Sequence, residues 1–183
     1  KLVGLDFRTT QTVNIEEGPL FNIGAGGDKY MSLIQYARVK QVDLQEEFHK
    51  GWDHSLNWQQ LNVLDKAFKD YKRRKGKYDF IDMIEKFIFN GTSPKFELLI
   101  IDEAQDLAPL QWKMVKDVLV PNSKKTVYAG DDDQAIYSWM GVDVENFLNA
   151  SEIKWILKKS YRVPEHPFAF AQGLPDQITK REE

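Results

Sequence analysis

The stretch LLIIDEAQDLAPLQW, residues 98–112, says more about the fold than any other part of the chain. It opens with a short continuous apolar run, which is the pattern of a strand buried on both faces. The run stops at two adjacent carboxylates, Asp102 and Glu103, and a helix-like segment opening with Pro109 follows. Acids at the end of a buried strand are what a nucleotide-hydrolysing site uses to hold magnesium and position water. The plainer alternative is a strand that stops at acids because it has reached solvent.

The composition is that of a soluble globular protein with room for one domain, or for one domain and part of another. The chain has 183 residues, of which 42% are hydrophobic and 29% charged, and its mean hydropathy is −0.51. No apolar run approaches the ~18 residues of a membrane span. There is no cysteine, which excludes disulfides and thiolate metal sites and fits a reducing, cytoplasmic location. The net charge of −3 does not by itself indicate nucleic acid, but binding needs only local positive charge.

The first half of the chain has the periodicity of amphipathic helices. The pattern predicts one helix over residues 28–39 with Asp28 as a possible cap, a second ending near Gly76, and a third from Asp79 to a stop at Gly91. The apolar positions of the three helices are Tyr30, Leu33, Ile34 and Ala37; Trp58, Leu61, Leu64, Phe68 and Tyr71; and Phe80, Ile84, Phe87 and Ile88.

A basic run, YKRRKGKY at residues 71–78, is the one local candidate for binding nucleic acid. Its cations are Lys72, Arg73, Arg74, Lys75 and Lys77. A solvated helix end explains such a run equally simply, and both readings stay open.

The second half of the chain alternates strand and helix. Two apolar runs, FELLIID at 96–102 and KKTVYAGD at 124–131, flank the helix that begins at Pro109, and IKWILKK at 153–159 predicts a third strand. Strand, helix, strand implies a right-handed crossover and a parallel sheet. Ligands of such sheets lie beyond the carboxyl ends of the strands. We therefore expect residues 102–103, 130–134 and 160–162 to converge on one edge.

The segment AGDDDQAIYSWMG, residues 129–141, strengthens the case for a nucleotide site. Gly130 permits a tight exit from the strand, and the carboxamide of Gln134 is placed to contact a terminal phosphate or its water. Tyr137 and Trp139 follow closely. They are either stacking platforms for single-stranded bases or packing under the edge of the sheet.

These segments together resemble a known family. LLIIDEAQD, AGDDDQAIYSWMG and LKKSYRVP, in this order and at these separations, look like motifs II, III and IV of superfamily 1 DNA helicases of the UvrD/Rep/PcrA type. YDFIDMI, residues 78–84, is similar to the segment that precedes motif II in that family. The resemblance covers residues 78–166.

The resemblance implies a function and a set of site residues. The family couples ATP hydrolysis to translocation on single-stranded DNA and to unwinding at duplex junctions, with ATP and Mg²⁺ as cofactors. By this likeness Asp102 coordinates the magnesium and Glu103 is the catalytic base. Gln134 senses the terminal phosphate, which Arg162 reaches from the far side of the cleft. Tyr137 and Trp139 fall at positions that contact single-stranded DNA.

The resemblance also implies a fold class and a domain layout. The class is α/β, a partial RecA-like parallel sheet without the phosphate-loop strand, with a mainly helical inserted subdomain. Residues 1–90 correspond to that subdomain, 91–163 to part of the first motor domain and 164–183 to the start of the second. Two positions depart from the family pattern. Met140 stands where the family usually has arginine, which puts one DNA contact in doubt, and Ala104 replaces a common aromatic residue.

The phosphate loop expected of such an enzyme is not evident in the sequence. The best candidate, IGAGGDKY at residues 23–30, contains Lys29 but lacks the G-x-x-x-x-G-K-[ST] order, and a flexible surface loop is its ordinary reading. In the family, motif I lies upstream of everything seen here, and motifs V and VI lie downstream. We therefore expect the chain to be an inactive central segment of a larger helicase, of bacterial or bacteriophage type.

Two other functions remain to be distinguished from a helicase. One is a non-catalytic DNA-binding or adaptor module that kept the fold and lost the motor, which the missing phosphate loop favours. The other is a metal-dependent nuclease that uses Asp102, Glu103 and the acids at 131–133, since two-metal sites need several carboxylates. A solvated turn explains the three aspartates more simply.

Overall fold

A computed structural model describes residues 26–51, 55–135, 141–142, 144–157 and 165–172 of the chain. Helices α1 to α4 come first, at Gly26–Lys40, Leu44–His49, Trp58–Lys75 and Phe80–Asn90. Strand β1 (Leu99–Ile101), helix α5 (Pro109–Met114) and strand β2 (Thr126–Tyr128) follow, and then α6 (Val144–Leu148) and α7 (Glu165–Gln172). Across the described helices, none combines the length and the apolar character that a membrane span requires.

Helices α1 and α3 form the first hydrophobic core. Tyr30, Leu33 and Ile34 of α1 and Leu61 and Leu64 of α3 are at most 3% exposed, as their helical spacing predicts. The Tyr30 hydroxyl accepts a hydrogen bond from the backbone N–H of Asn57 at 2.8 Å and donates to Oε1 of Gln60 at 2.7 Å. This buried hydroxyl therefore ties α1 to the first turn of α3.

The predicted end of α3 near Gly76 and both predicted ends of α4 are confirmed. The Asn57 side chain caps the first turn of α3, and Gly76 ends the helix with a left-handed φ of 58°. Asp79 opens α4 in a reciprocal capping box with Asp82, and Gly91 ends it at φ 62°. One apolar position of α4 differs from the prediction, because Phe80 is 64% exposed.

An ionic cluster joins the three longer helices. Lys72 of α3 and Arg38 of α1 both bind Asp79 and Asp82 at the start of α4, with N–O distances of 2.7–3.0 Å. Arg38 also binds Glu85 one turn further along α4, at 2.7 Å. The side chains of Lys72 and Arg38 are only 11% and 16% exposed, so these pairs are much less screened than surface pairs.

Strands β1 and β2 pair in parallel, with Leu99 opposite Thr126 and Ile101 opposite Tyr128, as the strand–helix–strand pattern predicts. α5 covers one face of this pair, where the Trp112 ring lies 5.6 Å from that of Tyr128. The helix continues beyond Met114 through a π-helical turn, Val115–Leu119, that no sequence pattern indicated.

The prediction that both strand faces are buried is wrong. Leu98, Ile100 and Val127 are 48–60% exposed, and alternation places them on the face opposite α5. A continuous apolar run is expected where helices cover both faces of a sheet. In the part of the chain that the structure describes, only the face toward α5 is covered.

Two further predictions need correction. The described part of the predicted third strand, residues 153–157, is irregular, and four of its apolar side chains are 76–94% exposed; these are Ile153, Trp155, Ile156 and Leu157. A strand requires a hydrogen-bonded neighbour, and among the described residues β1 pairs only with β2. The expected loop at 23–30 is helical from Gly26 onward, because burial of Tyr30 and Leu33 draws the glycine-rich segment into α1.

The chain divides into two compact units, residues 1–150 and 151–183. The first contains α1 to α6 and both strands, and the second contains α7. Within the first unit, α1 and α4 pack directly against α5, so the helical part and the strand pair share one body. The domain boundaries implied by the family resemblance remain predictions.

Candidate nucleotide site

Asp102 and Glu103 lie at the carboxyl end of β1 with both side chains exposed. The Asp102 carboxylate accepts a hydrogen bond from the backbone N–H of Glu103 at 3.0 Å. Glu103 has a left-handed φ of 49°, which is uncommon for a residue with a side chain. Such a conformation persists only where its surroundings hold it, and here the next N–H, of Ala104, donates to the carbonyl of Ala129 at 2.9 Å.

A second turn leaves the carboxyl end of β2 beside the first. Asp131 organises this turn, because one of its carboxylate oxygens accepts the backbone N–H of Asp133 at 3.1 Å. The other oxygen accepts a hydrogen bond from Nε2 of Gln134 at 2.5 Å. The side chain of Gln134 is exposed at the end of this turn. A side-chain hydrogen bond therefore fixes the residue that the sequence suggested for phosphate contact.

Gln105 joins the two turns and is 1% exposed. Its Nε2 donates to the Glu103 carboxylate at 2.9 Å and to the Asp106 carboxylate at 3.2 Å. Its Oε1 accepts the backbone N–H of Asp131 at 3.1 Å. Sequence reasoning missed this residue, because nothing in the pattern indicates that the side chain of the third residue after Asp102 turns inward while Asp102 and Glu103 are exposed.

Gly130 lies directly against the first turn. A Cβ at this position would collide with Oε1 of Gln105 and would lie 3.0 Å from the ring of Phe147 on α6. α6 packs against both turns, Ala104–Asp106 and Asp132–Gln134. The close approach therefore requires glycine for lack of space, since Gly130 has no left-handed φ.

The carboxyl group of Asp106 is shifted toward its neutral form. Desolvation raises its pKa, and the negative charge of Glu103 raises it further, against the opposing effect of the hydrogen bond from Gln105. Its Oδ1 is buried and has no hydrogen-bond partner among the described residues. Asp106 and Glu103 are thus two neighbouring carboxyl groups that share the side-chain donor of Gln105.

Several predicted residues fall outside the described part of the chain. Tyr137, Trp139, Met140 and Arg162 are among them, so convergence is seen only for the first two of the three strand ends. Asp102, Glu103 and Gln134 do share one edge. Among the described residues, no three His, Asp or Glu side chains are grouped so as to hold a metal ion between them.

The basic run at 71–78 has two kinds of cation. Lys72 is held in the ionic cluster with Asp79 and Asp82. Arg73 and Arg74 are 75–77% exposed and both reach Asp70 on their own helix. Lys75 is also exposed. The surface charge of this run is thus smaller than the sequence indicates, because one cation is committed internally and two are partly neutralised.

Comparison with known proteins identifies the family. The family model of the UvrD/REP helicase N-terminal domain matches residues 8–154. DNA helicase II of Haemophilus influenzae is 30% identical over 108 residues, which are 52% of this chain and 15% of that protein. The probable DNA helicase II homolog of Mycoplasma genitalium is 27% identical over 155 residues, 75% of this chain and 21% of that protein. The ATP-dependent DNA helicase Rep of Buchnera aphidicola is 27% identical over 138 residues, which are 70% of this chain and 19% of that protein.

The chain thus spans 15–21% of the length of these relatives. The matched region contains the helical body, the strand pair and both turns at the strand ends. It confirms the resemblance seen in the motifs around Asp102 and Gln134. The chain belongs to the UvrD/REP helicase family, within the part of it that the N-terminal domain represents.

Proposed function

We propose that this chain is a segment of an ATP-dependent DNA helicase that uses ATP hydrolysis to translocate on single-stranded DNA and unwind duplex junctions. One observation supports this most directly. Two turns at neighbouring strand ends place the exposed carboxylates of Asp102 and Glu103 on the same edge as the exposed carboxamide of Gln134. This edge of a parallel sheet is where nucleotides bind.

The site residues divide the chemistry between them. Asp102 fits a magnesium ligand, because it is exposed and Mg²⁺ is commonly held by one or two carboxylates together with phosphate oxygens and water. Magnesium held there would supply positive charge that neutralises phosphate charge. Glu103 accepts the proton of the attacking water, and Gln134 contacts the terminal phosphate or that water. Arg162 contributes positive charge to the terminal phosphate from the far side of the cleft.

The DNA-binding role rests on the residues after Gln134. Tyr137 and Trp139 stack on bases of single-stranded DNA, a contact of about 1–3 kcal/mol per base in other proteins. Their separation from Gln134 by only a few residues couples phosphate contact to base stacking. Met140, in place of the usual arginine, supplies no charged contact there.

Glu103→Gln in the whole protein tests this function. If Glu103 is the base, hydrolysis in the presence of single-stranded DNA falls by about 10²–10⁴-fold, while ATP binds with unchanged affinity because the substitution preserves shape and acts on the proton transfer. Single-turnover hydrolysis and equilibrium ATP binding measure the two effects. Glu97→Gln is the matched control, since its carboxylate is 82% exposed and lies upstream of β1.

Three outcomes would reject the proposal. Full hydrolysis by the Glu103→Gln protein would remove Glu103 as the base. Wild-type protein that binds single-stranded DNA but hydrolyses no ATP would favour the adaptor module, which the missing phosphate-loop motif already makes the second candidate. Magnesium-dependent DNA cleavage without ATP would instead indicate the nuclease.

A further inference from the structure

Among the described residues of the candidate site, Gln105 is the one buried polar side chain to which the proposed chemistry assigns no role. It lies between two elements that do have roles, Glu103 after β1 and the Asp131–Gln134 turn after β2. Its contacts form a continuous path. The Glu103 carboxylate accepts from Gln105, Gln105 accepts from the N–H of Asp131, and Asp131 accepts from the side chain of Gln134.

We propose that Gln105 is a positioning residue that makes the place of the Glu103 carboxylate depend on the place of Gln134. This inference rests on the proposed function, because it takes Glu103 as the base and Gln134 as the phosphate contact. When Gln134 moves toward a terminal phosphate, its hydrogen bond to the Asp131 carboxylate displaces Asp131. Gln105, which binds both the Asp131 N–H and the Glu103 carboxylate, transmits that displacement to Glu103. The base then reaches its working position only when the phosphate is in contact.

The chemistry of the site requires a carboxamide at this position. The group must donate to two carboxylates, those of Glu103 and Asp106, and accept a backbone N–H at the same time. An amide side chain has both functions, whereas a carboxylate can only accept while ionised and an apolar side chain can do neither. Burial at 1% exposure excludes competing water, so each lost contact leaves a group unsatisfied.

The packing around Gln105 holds its side chain in one position. Gly130 leaves room for its Oε1 only because it has no Cβ, and the Phe147 ring is packed against the same point of Gly130. Glu103 itself is held at a left-handed φ of 49°. A rigid connection between two strained or crowded turns transmits a displacement, whereas a flexible one absorbs it.

Two variants of Gln105 in the whole protein separate its two functions. Gln105→Met removes donors and acceptor at similar length, and Gln105→Glu keeps an acceptor for the Asp131 N–H but removes the donors. We expect both to lower the kcat of ATP hydrolysis by on the order of ten- to a hundredfold, with the KM for ATP within about twofold of wild type. Gln111→Met is the matched control, because Gln111 only caps α5 through the Ala108 N–H at 2.8 Å, and its kcat is expected to be unchanged.

A double-substitution experiment tests the coupling itself. If Gln134 acts on Glu103 through Gln105, then Gln105→Met combined with Gln134→Ala lowers kcat no further than the more damaging single change. Multiplication of the two losses would overturn the proposal, and so would a kcat within twofold of wild type for either Gln105 variant. If Glu103→Gln loses hydrolysis while both Gln105 variants keep a kcat within twofold of wild type, this inference is rejected and the proposed function stands.

Amide hydrogen exchange in the 183-residue chain provides a readout that needs no hydrolysis. The Asp131 N–H is expected to lose protection in Gln105→Met and to keep it in Gln105→Glu. The Ala129 N–H, which donates to the Ile101 carbonyl at 2.8 Å, reports whether the strand pair is intact. Continued protection of Asp131 in Gln105→Met would overturn the assigned contact. If Gln105→Met disrupts the strand pair, the kcat of Gln105→Glu in the whole protein is the deciding measurement. A loss of about ten- to a hundredfold supports the proposal, and a kcat within about twofold of wild type overturns it.

Discussion

At the scale of single residues, the site depends on the conformation and packing of three residues. Glu103 takes a left-handed backbone conformation, Gln105 turns inward, and Gly130 leaves the space that Gln105 fills. The sequence indicated Glu103 from its place after an apolar run. It did not indicate Gln105, because burial of a glutamine depends on what the neighbouring turn offers as partners.

Gly130→Ala tests the close approach of the two turns. The added methyl group collides with Oε1 of Gln105 and contacts Phe147, so we expect the free energy of unfolding to fall by about 1–3 kcal/mol. Chemical denaturation of the 183-residue chain measures this change. Unchanged stability would show that the turns can separate at little cost.

At the scale of elements, local chemistry was a sound guide to helix ends. Gly76, Asp79 and Gly91 act as the predicted caps, and Asn57 caps α3 although the pattern named no cap there. The predicted cap at Asp28 is wrong, because α1 begins two residues earlier, at Gly26. Capping depends on side chains within one turn of the chain, which a sequence displays directly. The ionic cluster between α1, α3 and α4 is different, since Arg38 and Asp82 are far apart in sequence and only packing brings them together.

The ionic cluster makes stability depend on pH through Asp82. Desolvation acts to raise the pKa of this carboxyl group, but hydrogen bonds from Lys72 and the Asp79 backbone and the charge of Arg38 outweigh it and lower the pKa to about 2. A carboxyl group with a lowered pKa stabilises the fold fully above its unfolded value, about 3.9. That contribution is lost as the pH falls toward 2.

Asp82→Asn measures this contribution. We expect the variant to be less stable than wild type at neutral pH, with the difference shrinking between about pH 4 and pH 2 as the wild-type carboxylate takes up its proton. Denaturant unfolding across this range follows the difference. Glu97→Gln, at a carboxylate 82% exposed, is expected to track wild type throughout. A difference that stays constant down to pH 2 would contradict the assignment.

At the scale of the whole molecule, the described residues leave apolar surface uncovered. Ile100 and Val127 on the strand pair and Trp155 and Leu157 in the second unit are all 48–94% exposed. Apolar runs at these places predicted buried strands. The prediction failed because burial depends on what covers a segment and not on the segment alone.

Hydrolysis of magnesium-ATP by the 183-residue chain tests whether it is a complete enzyme. The sequence contains no G-x-x-x-x-G-K-[ST] loop to cradle the phosphates, so we expect no turnover with or without single-stranded DNA. The Glu103→Gln chain, measured beside it, sets the background. DNA-stimulated turnover that the substitution removes would show that other residues of this chain hold the phosphates.

Local sequence determined helices α1, α3, α4 and α5, the ends of α3 and α4 at Gly76, Asp79 and Gly91, the parallel strand pair and the positions of Asp102, Glu103 and Gln134 after the strands. Each of these depends on residues within a turn or two of one another, or on the regular crossover between consecutive strands. Only tertiary packing decided that Gln105 joins the two turns, that Gly130 must lack a side chain and that Lys72 is committed to an internal ionic cluster. Those features arise between segments distant along the chain, where the identity of each partner is set by the fold and not by its neighbours in sequence.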